Sequence, residues 1–168
     1  MKKPLVKVVI GTLILAVLVL ATFLLPAVKE VNTLYVGTDA TTALHTGWLV
    51  TFGGVKDYGA AFVDTYHASV GSIFAYSCVL AGALIAGIFG TKSRGALVFA
   101  SLHFFAAMIL FILQKRFFIG ANGFNIDNPI REYTFTWELI VTIVLAGLAG
   151  VWSFGGAFAG LSAEPAKK

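Results

Sequence analysis

Three histidines and one cysteine are the side chains in this sequence best suited to proton or metal chemistry. His103 interrupts the apolar run SLHFFAAMILFIL (residues 101–113), and Cys78 lies inside another apolar run. An imidazole in hydrocarbon is costly unless it hydrogen-bonds, binds a metal or handles a proton. His103 is therefore a weak candidate cofactor ligand, and Cys78 with His103 is a weak candidate metal pair.

Depth along the helices brings four polar residues to similar levels. At about 1.5 Å per residue, Ser77, Cys78 and His103 share a layer on neighbouring spans, with Thr142 slightly higher. Two ligands fall short of the three or four that a zinc or copper site needs, so no metal is predicted. The layer is instead predicted to join helices through hydrogen bonds. A proton-handling or substrate-handling role for His103 is the alternative.

The other two histidines lie outside the apolar runs. His67 is placed at the mouth of the second span, too far in depth from His103 to share a haem with it. We predict that His67 pairs with Glu138, which begins the fourth span, because a pair of histidine and carboxylate can change its charge near neutral pH. His45 falls in a polar loop. No cofactor is predicted; bound lipid is expected, whereas haem and quinone are not favoured.

The sequence carries no catalytic signature. There is no nucleophile–base–orienter arrangement, phosphate loop, catalytic carboxylate pair or HExxH-type spacing, so catalysis is not favoured. The single cysteine excludes an internal disulfide, a thiolate-rich zinc site and a cysteine-held iron–sulfur cluster.

Composition indicates a membrane protein. Of the 168 residues, 58% are hydrophobic and only 12% charged, about half the charged share of a soluble domain. Four stretches have the length of about 20 residues that a bilayer demands, and each must be helical to satisfy its backbone. The prediction is an all-α integral membrane protein, a four-transmembrane-helix bundle forming a single membrane domain, with spans at residues 8–28, 68–90, 95–114 and 135–160.

Lysine and arginine positions predict the orientation. The side that holds the N-terminus carries seven of them and the opposite side five, which favours cytoplasmic N- and C-termini. KKPLVK before the first apolar run could also open a signal peptide, but Leu rather than a small residue in LLPA favours a retained anchor. We expect a bacterial-type plasma (inner) membrane and a cytoplasmic tail at 161–168.

Two external loops follow, at residues 29–67 and 115–134. TLYV (33–36) and GWLVTFGGV (47–55) are rich in β-branched and aromatic residues, which predicts a small β-hairpin between the first two spans. It serves either as a lid on the bundle or as a partner surface. The flanking side chains predicted to contact lipid headgroups or partners are Lys115, Arg116, Trp137, Trp152 and Trp48.

Small residues recur at four-residue spacing in the second and fourth spans. Such residues let helix backbones approach closely, and we expect internal packing rather than dimerisation. The residues are Gly82, Ala86, Gly90, Ala146, Gly150, Gly156 and Gly160.

The order of spans and loops resembles the layout of claudin-like tetraspan proteins. Their signature places a Trp-Gly-Leu-Trp element before two cysteines, whereas here Trp48 stands in GWLVTF and neither cysteine is present. The resemblance is one of layout, and it transfers no site residue.

These features favour a non-catalytic accessory or structural subunit of a larger membrane assembly. A small oligomeric transporter or channel is the first alternative, and an accessory subunit of a redox complex is the second. The expected partners are membrane lipids and either other membrane subunits or further copies of the chain. Nucleic acid is not expected, since the basic residues form no patch of their own.

Overall fold

The structure is a computed structural model that describes residues 3–32, 41–57, 63–123 and 131–159. Within these ranges the elements follow in the order α1 (Lys3–Ala21), β1 (Pro26–Asn32), β2 (Thr41–Thr46), α2 (Gly47–Phe52), β3 (Gly54–Asp57), β4 (Val63–Tyr66), α3 (Val70–Phe89), α4 (Arg94–Ile112), α5 (Gln114–Ala121), β5 (Arg131–Phe135) and α6 (Trp137–Phe158).

Four of these helices, α1, α3, α4 and α6, are long and apolar enough to cross a membrane. This confirms the four helical spans that the sequence predicts. The first span ends earlier than expected, because a 3-10 turn at Thr22–Leu24 closes α1 and strand β1 begins at Pro26. Proline lacks the amide hydrogen that a continuing helix needs, so the chain changes conformation there.

The four long helices form a ring in which α1 contacts α3 and α6, and α4 contacts the same two. Large buried side chains fill the centre, among them Leu97, Phe104 and Phe111 of α4. Hydroxyl side chains cap three of the four: Ser69, Ser93 and Thr136 each accept a hydrogen bond from an amide in the first turn of α3, α4 and α6. Each cap satisfies a backbone donor that the helix itself leaves open.

Several of the small residues lie where helices meet. An added Cβ at Gly82 would lie 3.1 Å from Phe104, and one at Gly150 would lie 2.9 Å from Phe105. Ala86 and Ala146 are buried, and a Cβ at Gly90 would meet Val9 of α1 at 2.8 Å. Gly160 lies outside the described residues.

The strands and the two short helices form a compact cap at one end of the bundle, which we call the β module (β1–β5, α2 and α5). Its larger sheet has the antiparallel order β2-β1-β5, and β3 pairs with β4 in a separate hairpin. We call the end of the bundle beside this module the module end. The opposite end, where residues 90–93 join α3 to α4, is the turn end.

A small sheet is present, but its strands are not the predicted ones. The stretch GWLVTF forms helix α2, because the Thr46 side chain caps its first turn and Gly53, at φ +74°, ends it. The polar stretch before it contains strand β2, whereas the sequence predicts a loop there. The predicted strand TLYV (33–36) lies outside the described residues.

The predicted second loop also contains regular structure. Helix α5 occupies its first part, and strand β5 joins the edge of the larger sheet, with Tyr133 opposite Glu30. Neither element has the alternation or length that a single segment needs to be recognised alone. Both are stabilised by packing on β1 and its neighbours.

Several hydrogen bonds fasten the β module to the bundle. The Gly47 amide donates to the Leu25 carbonyl at 2.9 Å, and the Ser69 amide donates to the Thr51 carbonyl at 2.9 Å. The Thr136 hydroxyl donates to the Pro26 carbonyl at 2.7 Å. These bonds tie α2 and β1 to the module ends of α1, α3 and α6, so the module has one fixed orientation on the bundle.

Candidate functional site

The β module encloses a buried carboxylate, imidazole and phenol. Nε2 of His45 lies 2.8 Å from Oε2 of Glu30, and the Tyr66 hydroxyl donates to the same carboxylate oxygen at 2.9 Å. His45 is 0% exposed, and Glu30 and Tyr66 are each 2% exposed. We call these three residues the Glu30 cluster. A buried carboxylate needs such donors, because nothing else offsets its lost hydration.

Strand register positions the cluster. Along β1 and β2 the side chains alternate, so Glu30 and His45 face inward while Lys29 and Leu44 face outward. Glu30 lies opposite Ala43, and His45 lies opposite Val28, so the contact between Glu30 and His45 runs diagonally between the strands. Tyr66 arrives from the second sheet, as the last residue of β4.

Aromatic rings wall the cluster. Phe118 of α5 stacks on Tyr66 with ring centroids 5.5 Å apart, and its centroid lies 5.4 Å from the His45 ring. His45 and Tyr66 are 4.8 Å apart by the same measure. Tyr133 packs edge-on against Phe118 at 6.0 Å. The rings exclude water, which strengthens the hydrogen bonds to the carboxylate.

The proton arrangement follows from the shared acceptor. Glu30 Oε2 receives the Tyr66 hydroxyl hydrogen, and the pair with His45 places the imidazole hydrogen on Nε2. Nδ1 of His45 then faces the module interior, where no described group bonds to it. The cluster is a hydrogen-bonded tie between three strands.

Further buried polar groups lie in α2 and at the start of α5. The Thr51 hydroxyl and the Gln114 amide are buried, and neither bonds to another described group. Ser69 and Ser72 are also buried, and the Ser72 hydroxyl donates to the Ser69 hydroxyl at 3.0 Å. Buried polar groups therefore also occur where the module meets the bundle.

His103 bonds within its own helix. Its Nδ1–H group donates to the Phe99 carbonyl at 2.9 Å, and its ring packs against Phe99 at 5.3 Å. The predicted bond from His103 to a neighbouring helix is thus replaced by a local one. An i to i−4 bond of this kind satisfies an imidazole without any partner helix.

The other members of the predicted layer bond elsewhere or lie on other faces. Ser77 is exposed and Cys78 is half-buried on α3. The Thr142 hydroxyl of α6 bonds to the Thr22 hydroxyl at 2.7 Å, which joins α6 to the end of α1. Among the described side chains no group of three histidine, cysteine or acidic residues is placed to hold a metal.

The predicted pair of His67 and Glu138 is not joined by a hydrogen bond or ion pair within the described ranges. The exposed His67 donates its backbone amide to Asn122 Oδ1 at 2.7 Å. Glu138 lies half-buried in the first turn of α6, where the helix dipole favours a carboxylate. Lys115 and Arg116 lie on α5, with Arg116 exposed.

The tryptophans occupy both ends of the bundle. Trp48 is exposed and packs edge-on against Phe23 at the module end, and Trp137 is 71% exposed at the start of α6. Trp152 lies toward the turn end, where its indole N–H donates to the Val8 carbonyl at 3.1 Å. These positions suit the membrane boundary, where amphipathic rings are stable.

Sequence reasoning missed the Glu30 cluster. The sequence pattern predicts a loop at His45 and indicates no role for Glu30 or Tyr66. The alternation of β1 and β2, with Val28, Glu30, Ala43 and His45 all facing inward, is the signal that could have found it. An acid and a histidine at inward positions of short β segments indicate a buried pair.

The architecture is that of a helical membrane protein: four helices with the length and composition of spans, and a β module packed on one end. Comparison with protein-family models and with curated protein sequences finds no match for this chain.

Proposed function

We propose that this protein is a non-catalytic integral membrane protein that serves as an accessory or structural subunit of a larger membrane assembly. Its bundle would anchor the β module at the membrane surface, and the outward face of the sheet would bind a second membrane protein. The fixed attachment of the module to the bundle carries the proposal.

Rigid attachment suits a structural role. The bonds from Gly47, Ser69 and Thr136 to the first residues of the module fix its orientation to the bundle. Inside the module, the Glu30 cluster ties β1, β2 and β4 together. A surface held in this way loses little conformational entropy when a partner binds, which favours association.

The outward face of the sheet is the surface we assign to the partner. Lys29 is exposed at its centre, with Leu44 and Thr134 opposite it on the two neighbouring strands. Glu132 is exposed on β5, next to Thr134. The face thus mixes apolar, polar and charged groups, and the charge of Lys29 gives a partner of opposite charge a basis for recognition.

Charge reversal at Lys29 tests the proposal. The full-length protein is extracted in mild detergent, and the mass and subunit composition of the complex are measured. Lys29→Glu is expected to weaken retention of the partner about tenfold or more, since a reversed charge at an interface repels its former counterpart. Lys92→Glu is the matched control, because Lys92 is exposed at the turn end.

Other outcomes would overturn the proposal. A complex retained equally by Lys29→Glu and Lys92→Glu would exclude the sheet face as the partner surface. A monodisperse homo-oligomer in the unmodified protein would favour the small transporter or channel. Haem or quinone absorption in the purified complex would favour the redox accessory subunit.

A further inference from the structure

A groove of about 700 Å³ runs between α1 and α6 on the outside of the bundle. Val8, Gly11 and Ile14 line it on α1, and Val151, Gly155 and Ala159 line it on α6. All these side chains are apolar, and the indole N–H of the adjoining Trp152 is already bonded to the Val8 carbonyl. The groove therefore offers dispersion contacts but no hydrogen-bond donor, which suits a hydrocarbon chain.

The floor of the groove is open because Gly155 has no side chain. A Cβ placed at Gly155 would have nothing within 4 Å, whereas one at Gly156 would collide with Val8 and one at Gly11 with Trp152. Gly11 and Gly156 thus bring the two helices together. Gly155 adds space to the groove without serving that contact.

The groove extends over only one half of the bilayer. Its lining covers residues 8–15 of α1 and 148–159 of α6, which is about 10 Å and about 16 Å of helix at about 1.5 Å per residue. The hydrocarbon core is about 30 Å thick. A partner helix would cross the whole core, whereas a lipid chain belongs to one leaflet.

A cation directly precedes the groove lining on α1. Lys7 is exposed and lies four residues before Gly11 and seven before Ile14, so the three share one face of α1. Helical side chains tilt toward the N-terminus, which directs Lys7 toward the membrane surface at the turn end. An ammonium group there can pair with a headgroup phosphate.

We propose that this groove binds one acyl chain of a phospholipid in the turn-end leaflet, with the lipid phosphate paired to Lys7. Gly155 provides the space, Ile14 and Val151 provide the walls, and Lys7 provides the charge. The inference is independent of the partner proposed for the β module.

Quenching of Trp152 fluorescence tests this proposal. The full chain carrying Trp48→Phe and Trp137→Phe retains Trp152 as its single tryptophan. It is titrated in detergent with phosphatidylglycerol brominated on its acyl chains. We expect saturable quenching, and native mass spectrometry should show one retained lipid per chain.

Two substitutions in this background test the two parts of the site. Gly155→Leu fills the groove, since a Cβ at this position meets no atom within 4 Å. It is expected to raise the half-quenching lipid concentration about tenfold or more, because the leucine side chain excludes the acyl chain of the lipid. Lys7→Gln is expected to raise it about fivefold, the contribution of one cation near the surface.

Gly87→Leu is the matched control. Gly87 is exposed on α3, two residues before the turn end of that helix, whereas Gly155 is three residues before the turn end of α6. The Cβ added at Gly87 would meet only Leu13, at an ordinary 3.6 Å. This variant should titrate like the reference.

Four outcomes would overturn the proposal. Quenching that rises without saturation, or that falls equally in Gly155→Leu and Gly87→Leu, would indicate boundary lipid only. A Gly155→Leu titration unchanged from the reference would exclude the groove. A fall in oligomer mass on Gly155→Leu would assign the groove to a second copy of the chain.

Discussion

Glu30 and His45 are joined by a hydrogen bond, with Oε2 and Nε2 2.8 Å apart and side chains 3% and 0% exposed. The pair lies between two strands of a module that packs on four apolar helices. Burial at this level makes each partner dependent on the other, since neither side chain can recover its hydration while the module stays folded.

Glu30→Ala should destabilise the protein strongly. The substitution leaves Nε2 of His45 and the Tyr66 hydroxyl buried without their shared acceptor, and each buried donor that loses its partner costs about 1–3 kcal/mol. Thermal unfolding in detergent, followed by circular dichroism, measures the loss. Glu132→Ala is the control, because Glu132 is exposed on β5 of the same sheet. Equal unfolding midpoints for the two variants would contradict a structural role for the cluster.

Alanine at two adjacent glycines should have opposite effects. Gly156→Ala drives a Cβ into Val8 where α6 meets α1, and overpacking of this kind costs about 1–3 kcal/mol. Gly155→Ala meets nothing within 4 Å and should gain up to about 1 kcal/mol from helix propensity. The difference in unfolding midpoint measures both. If both variants destabilise alike, the contact between α1 and α6 differs from the one described.

Thr12 and Ser153 should be energetically coupled. Their hydroxyl oxygens lie 2.9 Å apart between α1 and α6, and both residues are fully buried. A double-mutant cycle with Thr12→Val and Ser153→Ala should give a coupling of about 0.6 kcal/mol, the usual value for hydrogen bonds between membrane helices. A second cycle pairs Thr12→Val with Ser101→Ala. Ser101 bonds to a carbonyl of its own helix, so that cycle should give no coupling.

His103→Leu should change stability little. The imidazole bonds only within α4 among the described residues, and substitutions away from shared networks usually shift stability by less than about 0.5 kcal/mol. Thr142→Val, from the same predicted layer, should cost about 1 kcal/mol because it breaks the bond to Thr22. Unfolding midpoints compare the two. A large loss with His103→Leu would show that His103 contributes an interaction between helices.

Length and apolarity alone determined the four spans. A run such as residues 101–113 has few ways to satisfy its backbone in lipid other than a helix, so its structure is decided locally. The sequence also indicates packing positions such as Gly82, Gly150 and Gly156, because small residues at helical spacing mark the side of a helix that can approach another helix. The predicted first span runs to residue 28, although Pro26 marks the point where the helix must end and β1 begins.

Tertiary structure alone decided the Glu30 cluster and the role of His103. Glu30 meets His45 and Tyr66 only because β1, β2 and the hairpin pack together, and no local pattern specifies which strands will pair. GWLVTF is rich in β-forming residues, yet it forms a helix because Thr46 caps its first turn and the helix packs against the module end of the bundle. For His103, depth along the span could be counted from the sequence, but the direction of the ring could not. The imidazole bonds to the Phe99 carbonyl one turn away in the same helix, so it needs no partner on a neighbouring helix.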